Sequence, residues 1–258
     1  MSEDFLLVER RDGILRLTIN RPEQRNALRM DLLDKLGETF DAHADDESLK
    51  FAVITAAGDR CFAAGGDLKE LDAVRTDEQT AEMSRRGRRA LDRVRDFPLP
   101  VIGALNGLAL GGGAELAMAC DWRIAAAHAE IGFLQGQLGV TTAWGGGIDL
   151  ICAAGHRCAL DLLLSARRIA ADEALELGVV DRVCSKSETL ETGLADFLAP
   201  YLDRSRDVLL GYKAMTAGHR KLLHEQLAGI EEERFVTAWT SETHWAAVAA
   251  AAEQRRRR

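Results

Sequence analysis

The chain has 258 residues, 47% of them hydrophobic and 29% charged, with a formal net charge of -8. That length buries a sizeable core, and that composition is too apolar for a disordered chain. The acidic balance speaks against a general binder of nucleic acid or of anionic membrane surfaces, since both need cationic stripes.

In chain order, residues 5–19 read as a β-hairpin: an apolar run, a turn at Asp12 and Gly13, then period-two alternation from Ile14. Residues 20–27 break that pattern, and residues 30–43 carry Leu32, Leu33, Leu36 and Phe40 at helical spacing. Residues 51–55 are a short buried strand, followed by a Gly/Ala-rich loop at 63–67 and a long polar helix over 76–95. Pro98 and Pro100 stop that helix. Residues 101–105 read as a second buried strand, Gly111, Gly112 and Gly113 lead into a helix starting near Ala114, and 121–125 read as a third. Strands alternating with helices predict an α/β fold. After Val183 strand signals end, and spacings such as Leu190, Leu194 and Leu198 predict helices only. This shift divides the chain into a core at 1–195 and a helical segment at 196–258.

The apolar run 101–120 has the length of a membrane span, but it carries Glu115, Asn106 and five glycines and is read as protein interior. Residues 1–4 show acids where a signal peptide has a basic and then an apolar region. The five cysteines are scattered, without CxxC spacing, so neither a disulfide framework nor a metal site is expected and a reducing, cytoplasmic setting is. The arginines at 255–258 read as a solvated tail, and His128, His156, His219 and His244 as surface or packing residues.

Two loops, Ala64-Gly65-Gly66-Asp67 and Gly111-Gly112-Gly113-Ala114-Glu115, each follow a buried stretch. Glycine there permits unusual backbone angles and lets a ligand approach the main chain. Loops that open helices also point free N–H groups outward, so two of them together can aim two donors at one oxygen. On the glycines alone, tight turns between packed layers are the favoured reading. Neither loop has the spacing of a nucleotide fingerprint, and no serine sits in a hydrolase setting. Glu115 is the one ionisable residue in its apolar run. It is either a capping carboxylate or a desolvated acid/base group, because burial that disfavours its charge raises its proton affinity. Residues 144–147 (WGGG) either line an apolar pocket or form a turn around a core tryptophan.

Read together, residues 20–28 (NRPEQRNAL), 61–70 (CFAAGGDLKE), 101–121 and 164–183 resemble the crotonase (enoyl-CoA hydratase/isomerase) superfamily, a likeness running from about residue 5 to 185. The resemblance implies a spiral of ββα turns with a C-terminal helical domain, assembled as a homotrimer or dimer of trimers. It implies an acyl-CoA substrate, with coenzyme A part of that substrate and no separate cofactor. By position, the N–H groups of Gly66 and Gly112 form an oxyanion hole, and Gly66, Asp67, Leu68 and Lys69 line the CoA arm. Arg25 and Lys69 are the candidates for its phosphates.

The pattern departs at a second carboxylate: hydratases carry two glutamates, and the second position here is Gln135. An amide cannot take up a proton near pH 7, although it can orient water. Residues 139–147 (GVTTAWGGG) lack the usual proline and are similar to the ethylmalonyl/methylmalonyl-CoA decarboxylase branch. That likeness implies Glu115 as the acid that protonates an enolate, Thr141 or Thr142 against the leaving carboxylate, and Trp144 in the acyl pocket. Decarboxylation of a short 2-carboxyacyl-CoA or double-bond isomerisation is therefore expected ahead of hydration with Gln135 orienting water. A non-catalytic RNA-binding or interaction relative is the reading from another class.

Overall fold

A computed structural model describes residues 4–256, except the side chains of Leu68, Lys69 and residues 254–256. The expected reach of Leu68 and Lys69 along a CoA arm, and the basic tail, lie outside what is described.

The hairpin forms as expected. Strand β1 (Leu6–Arg11) pairs antiparallel with β2 (Ile14–Ile19), with Leu6 opposite Ile19 and Arg11 opposite Ile14. Asp12 and Gly13 both take positive φ (51° and 76°), as a two-residue turn of matching twist requires. Helix α1 (Met30–His43) buries Leu32, Leu33, Leu36 and Phe40. A spiral follows. Its first turn is β3 (Phe51–Ala56), β4 (Cys61–Ala63), the short α2 (Leu68–Leu71) and α3 (Asp77–Arg95). Thr76 and Gln79 close α3 with a reciprocal capping box. The second turn is β5 (Val101–Leu105), β6 (Leu108–Leu110) and α4 (Gly112–Ala119); the third is β7 (Trp122–Ala125), β8 (Glu130–Gly132) and α5 (Gly146–Ser165). Strand β9 (Arg168–Ala170), α6 (Ala171–Glu176) and β10 (Arg182–Val183) complete the winding.

Each turn sends its first strand to a large sheet, ordered β1-β2-β3-β5-β7-β10, and its second to a small one, ordered β4-β6-β8-β9. All six residues of β3 and all five of β5 are buried, because both faces of the large sheet are covered. This is the α/β spiral the sequence predicts. The second strands of the turns escaped the sequence reading, since three residues are too few to display a period. The apolar run 101–120 is divided among β5, β6 and α4, and among the described residues no helix is long and apolar enough to cross a membrane.

The C-terminal chain is helical throughout: α7 (Leu190–Leu202), α8 (Arg206–Trp239) and α9 (Glu242–Arg256). It folds back onto the spiral. Lys213 of α8 pairs with Asp121 at 2.6 Å, the Trp239 indole N–H donates to the Val74 carbonyl at 3.0 Å, and His244 Nδ1 donates to the Leu138 carbonyl at 2.6 Å.

Candidate active site

Strands β4 and β6 are parallel neighbours, with Ala63 opposite Ala109. Three residues beyond each member of that pair, past the strand ends, lie Gly66 and Gly112, so the two glycine loops leave the small sheet side by side. Neighbouring strands are roughly 5 Å apart, which lets one N–H from each loop reach a shared oxygen. The packing agrees: a Cβ added to Gly65 would lie 3.7 Å from the Gly112 nitrogen and 3.1 Å from the Leu110 carbonyl oxygen. Gly65 and Gly111 take positive φ (101° and 55°), which turns the chain out of the sheet. Gly112 then opens α4, where an N–H has no acceptor within its own helix.

Trp144 joins the two loops. Its ring lies 3.7 Å from the Cβ position of Gly66 and 2.4 Å from that of Gly112, and its Nε1 is 2.2 Å from that of Gly87. The last two distances forbid any side chain at Gly87 or Gly112 while the ring stays where it is. Among the described residues the indole N–H finds no acceptor, and Trp144 is 4% exposed. Trp144 is thus a buried residue whose ring also forms part of a cavity wall.

Glu115 is in the first turn of α4 and is 3% exposed. Its Oε2 accepts from the main-chain N–H of Trp144 at 2.8 Å and of Gly146 at 3.0 Å, and more weakly from Ala143 at 3.3 Å. Its Oε1 accepts from Gln135 Nε2 at 3.0 Å. Burial, reinforced by the charge of nearby Glu231, pushes the carboxyl up to about 7, while the hydrogen bonds from Trp144, Gly146 and Gln135 oppose the rise. A buried carboxyl poised there can carry a proton either way near neutrality.

That position has a consequence for stability. Unfolded, Glu115 takes its ordinary value of 4.5; folded, it takes about 7. Below 4.5 both states hold the proton. Between 4.5 and 7 the folded state binds more protons, so stability falls as pH rises, and by pH 8 the loss is roughly 3 kcal/mol. Glu115→Gln lacks this titration. Urea unfolding from pH 4 to 8 should show the variant gaining on the native chain by about that amount. Parallel curves would mean that the carboxyl titrates at its ordinary position.

Glu115, Gln135, Gly66, Gly112, Thr141 and Trp144 line one cavity of about 1570 Å³. Leu71, Met83, Leu138 and Val140 give it apolar walls, and exposed Arg25, Arg29 and Arg168 stand at its rim. Asp67 lines it too and accepts from Arg21 at 3.1 Å. Thr142 is not among the lining residues: its hydroxyl donates to Glu231 at 2.5 Å. The cavity is not confined to residues 1–195, since Phe235, Trp239, Ala247 and Ala250 from α8 and α9 close one side. Sequence reasoning missed these residues, together with Arg21, Arg29, Arg168 and Glu231, because none falls in or beside a glycine loop. Among the described residues no three His, Cys, Asp or Glu side chains group as metal ligands.

A model of the family described as enoyl-CoA hydratase/isomerase matches residues 9–256. The chain is 32% identical over 256 residues to the short-chain-enoyl-CoA hydratase of Clostridium acetobutylicum, covering 99% of this chain and 97% of that protein. It is 31% identical over 229 residues to the ethylmalonyl-CoA decarboxylase of Xenopus laevis, covering 88% and 76%. The crystal structure of an enoyl-CoA hydratase from Bacillus halodurans superposes with a TM-score of 0.87 over 96% of this chain and 100% of that one, at 22% identity, a likeness of fold.

Proposed function

We propose, given that this chain belongs to the enoyl-CoA hydratase/isomerase family, that it decarboxylates a short 2-carboxyacyl-CoA through a thioester enolate. The observation that carries this reading is that Glu115 is the one buried carboxylate among the described residues lining the cavity, with the amide of Gln135 as its side-chain hydrogen-bond donor. Breaking the bond from the α-carbon to the carboxylate leaves its electron pair on the thioester as an enolate, and CO2 departs. No base is needed for that step. The N–H groups of Gly66 and Gly112 stabilise the enolate oxygen as fixed dipoles that need not reorganise. Protonated Glu115 then delivers its proton to the α-carbon and recovers one from solvent. Arg25, with Arg21, Arg29 and Arg168, supplies positive charge for the phosphates, and the apolar wall with Trp144 takes the acyl group. Thr141, which lines the cavity, donates its hydroxyl to the Thr142 carbonyl at 3.1 Å and reaches the leaving carboxylate by turning from that bond; the Thr142 hydroxyl is held by Glu231 and does not line the cavity.

One observation favours a second reading. Gln135 Oε1 is buried with no hydrogen-bond partner among the described residues, an acceptor suited to a water placed for addition to an enoyl-CoA. Isomerisation, in which ionised Glu115 moves one proton between two carbons, fits the same lone carboxylate.

Offering the purified enzyme methylmalonyl-CoA, crotonyl-CoA and a 3-enoyl-CoA across pH separates the three. CO2 release that falls as pH rises past about 7 is expected, because the acid form of Glu115 is the one consumed. Fast water addition to crotonyl-CoA without CO2 release from methylmalonyl-CoA would replace decarboxylation by hydration. Activity on a 3-enoyl-CoA that falls below pH 7 would mark Glu115 as a base and the reaction as isomerisation.

A further inference from the structure

Where the chain runs into the start of α5, the N–H groups of Trp144, Gly145 and Gly146 divide between two carboxylates. Trp144 and Gly146 donate to Glu115. Gly145, between them, donates to Glu231 Oε2 at 2.9 Å. Glu231 belongs to α8, in the helical segment that the sequence separates from the catalytic core. Its other oxygen accepts the Thr142 hydroxyl at 2.5 Å, and Arg88 of α3 closes an ion pair on Oε2. The pair is nearly dry, with side-chain exposures of 11% for Arg88 and 8% for Glu231. A Cβ on Gly147 would come within 2.6 Å of Thr142 Oγ1 and 3.5 Å of Glu231 Oε1, so the turn is pressed closely onto this group.

A buried ion pair contributes little to stability unless hydrogen bonds saturate it, because removing two charges from water costs several kcal/mol. Here the Glu231 carboxylate accepts from Arg88, Thr142 and Gly145, while Arg88 Nη1 has no partner among the described residues, and two of the donors belong to the turn that holds Glu115. We propose that Glu231 is a positioning residue for Glu115: with Arg88 it clamps the Thr142–Gly146 turn from behind, fixing the N–H groups on which the Glu115 carboxylate rests. Helix α8 is thereby part of the proton-handling apparatus. This inference rests on the reading of Glu115 as the proton carrier.

Geometry and charge act in the same place. The negative charge of Glu231 opposes a second negative charge at Glu115 and so favours its protonated form. The other charged groups around the turn are Arg88 and Arg95 from α3, Asp149 from α5 and His224 from α8. Asp149 accepts from Arg95 at 2.8 Å and lies 2.8 Å from His224 Nε2. A readout confined to carboxyl groups is therefore needed, so that a titrating histidine is not mistaken for Glu115.

The test is a pH titration of the protonated-carboxyl infrared band in the unliganded, full-length protein, with Glu115→Gln identifying the band by its loss. In Glu231→Gln, which keeps the shape and removes the charge, the midpoint should fall from about 7 by roughly one unit or more. Glu231→Asp keeps the charge on a shorter arm. It should leave the midpoint near the native value while lowering kcat about tenfold at unchanged KM, as expected for a slackened turn. A Glu231→Gln protein titrating at the native midpoint overturns the proposal. If that variant does not fold, a Glu231→Asp midpoint displaced despite the retained charge, or an unchanged kcat, overturns it instead. The infrared result does not depend on the reaction. A fully active Glu115→Gln would sink the proposed chemistry while leaving the titration comparison intact.

Discussion

Glu115→Gln should lower kcat by roughly two to four orders of magnitude, the usual contribution of a positioned proton donor or acceptor. The substitution is nearly isosteric. The new amide oxygen can accept from Trp144 and Gly146 as the carboxylate does, and Gln135 can turn its amide to meet the new N–H2. The cavity keeps its shape, so KM should change only a few-fold. What disappears is a transferable proton near neutrality. No neighbour replaces it: Gln135 is an amide, and Glu231 is committed to Arg88, Thr142 and Gly145. Steady-state kinetics on the acyl-CoA that the native enzyme turns over, with circular dichroism to confirm folding, decides the matter. A rate within a few-fold of native would remove Glu115 from the chemistry.

Gly112→Ala should cost roughly two to three orders of magnitude in kcat, the penalty for losing one oxyanion donor. The added methyl would fall 2.4 Å from Trp144 Cζ3 and 2.9 Å from Cη2. The ring cannot retreat freely, since Gly66 and Gly87 border it as well. The main chain at residue 112 must move instead, and its N–H swings off the oxygen proposed as its acceptor. Over-packing of this kind also destabilises by about 1–3 kcal/mol. Gly112→Ala combined with Trp144→Phe, which makes room for the methyl, should recover part of the loss. That recovery separates steric displacement of the donor from general misfolding, because the two changes would then be non-additive. A single variant with native kcat would mean that the Gly112 amide does not contact the reacting oxygen.

Residues that break a local rule were legible in the sequence, and those that obey one were not. Glu115 stands out because it is a charge in an apolar run, and the structure places it at 3% exposure inside α4. The paired glycine loops stand out because they interrupt buried strands, and continuing the β4–β6 register brings them together. Glu231 carries no such signal. It is the first of three consecutive glutamates, whose second pairs on the surface with Arg85 and whose third is exposed. On sequence alone the run is an ordinary solvated helix face, and only the depth of α8 against α3 and α5 singles out its first member. Thr141 and Thr142 were likewise inseparable by type, and one bond to Glu231 distinguishes them. The strands of the small sheet were hidden by brevity, although the geometry of the site hangs on them.

The adjacency of β4 and β6 fixes more than the meeting of two amides. The gap between the donors is inherited from the pitch of a hydrogen-bonded ladder, a dimension belonging to the polypeptide itself and not to any rotamer. Side-chain changes that leave the main chain in place can obstruct the entrance, but the spacing of the two loops shifts only where the backbone itself is displaced, as Gly112→Ala would displace it. Warming should therefore leave the catalytic constant on a smooth course until the small sheet opens, and end activity with that opening rather than gradually before it.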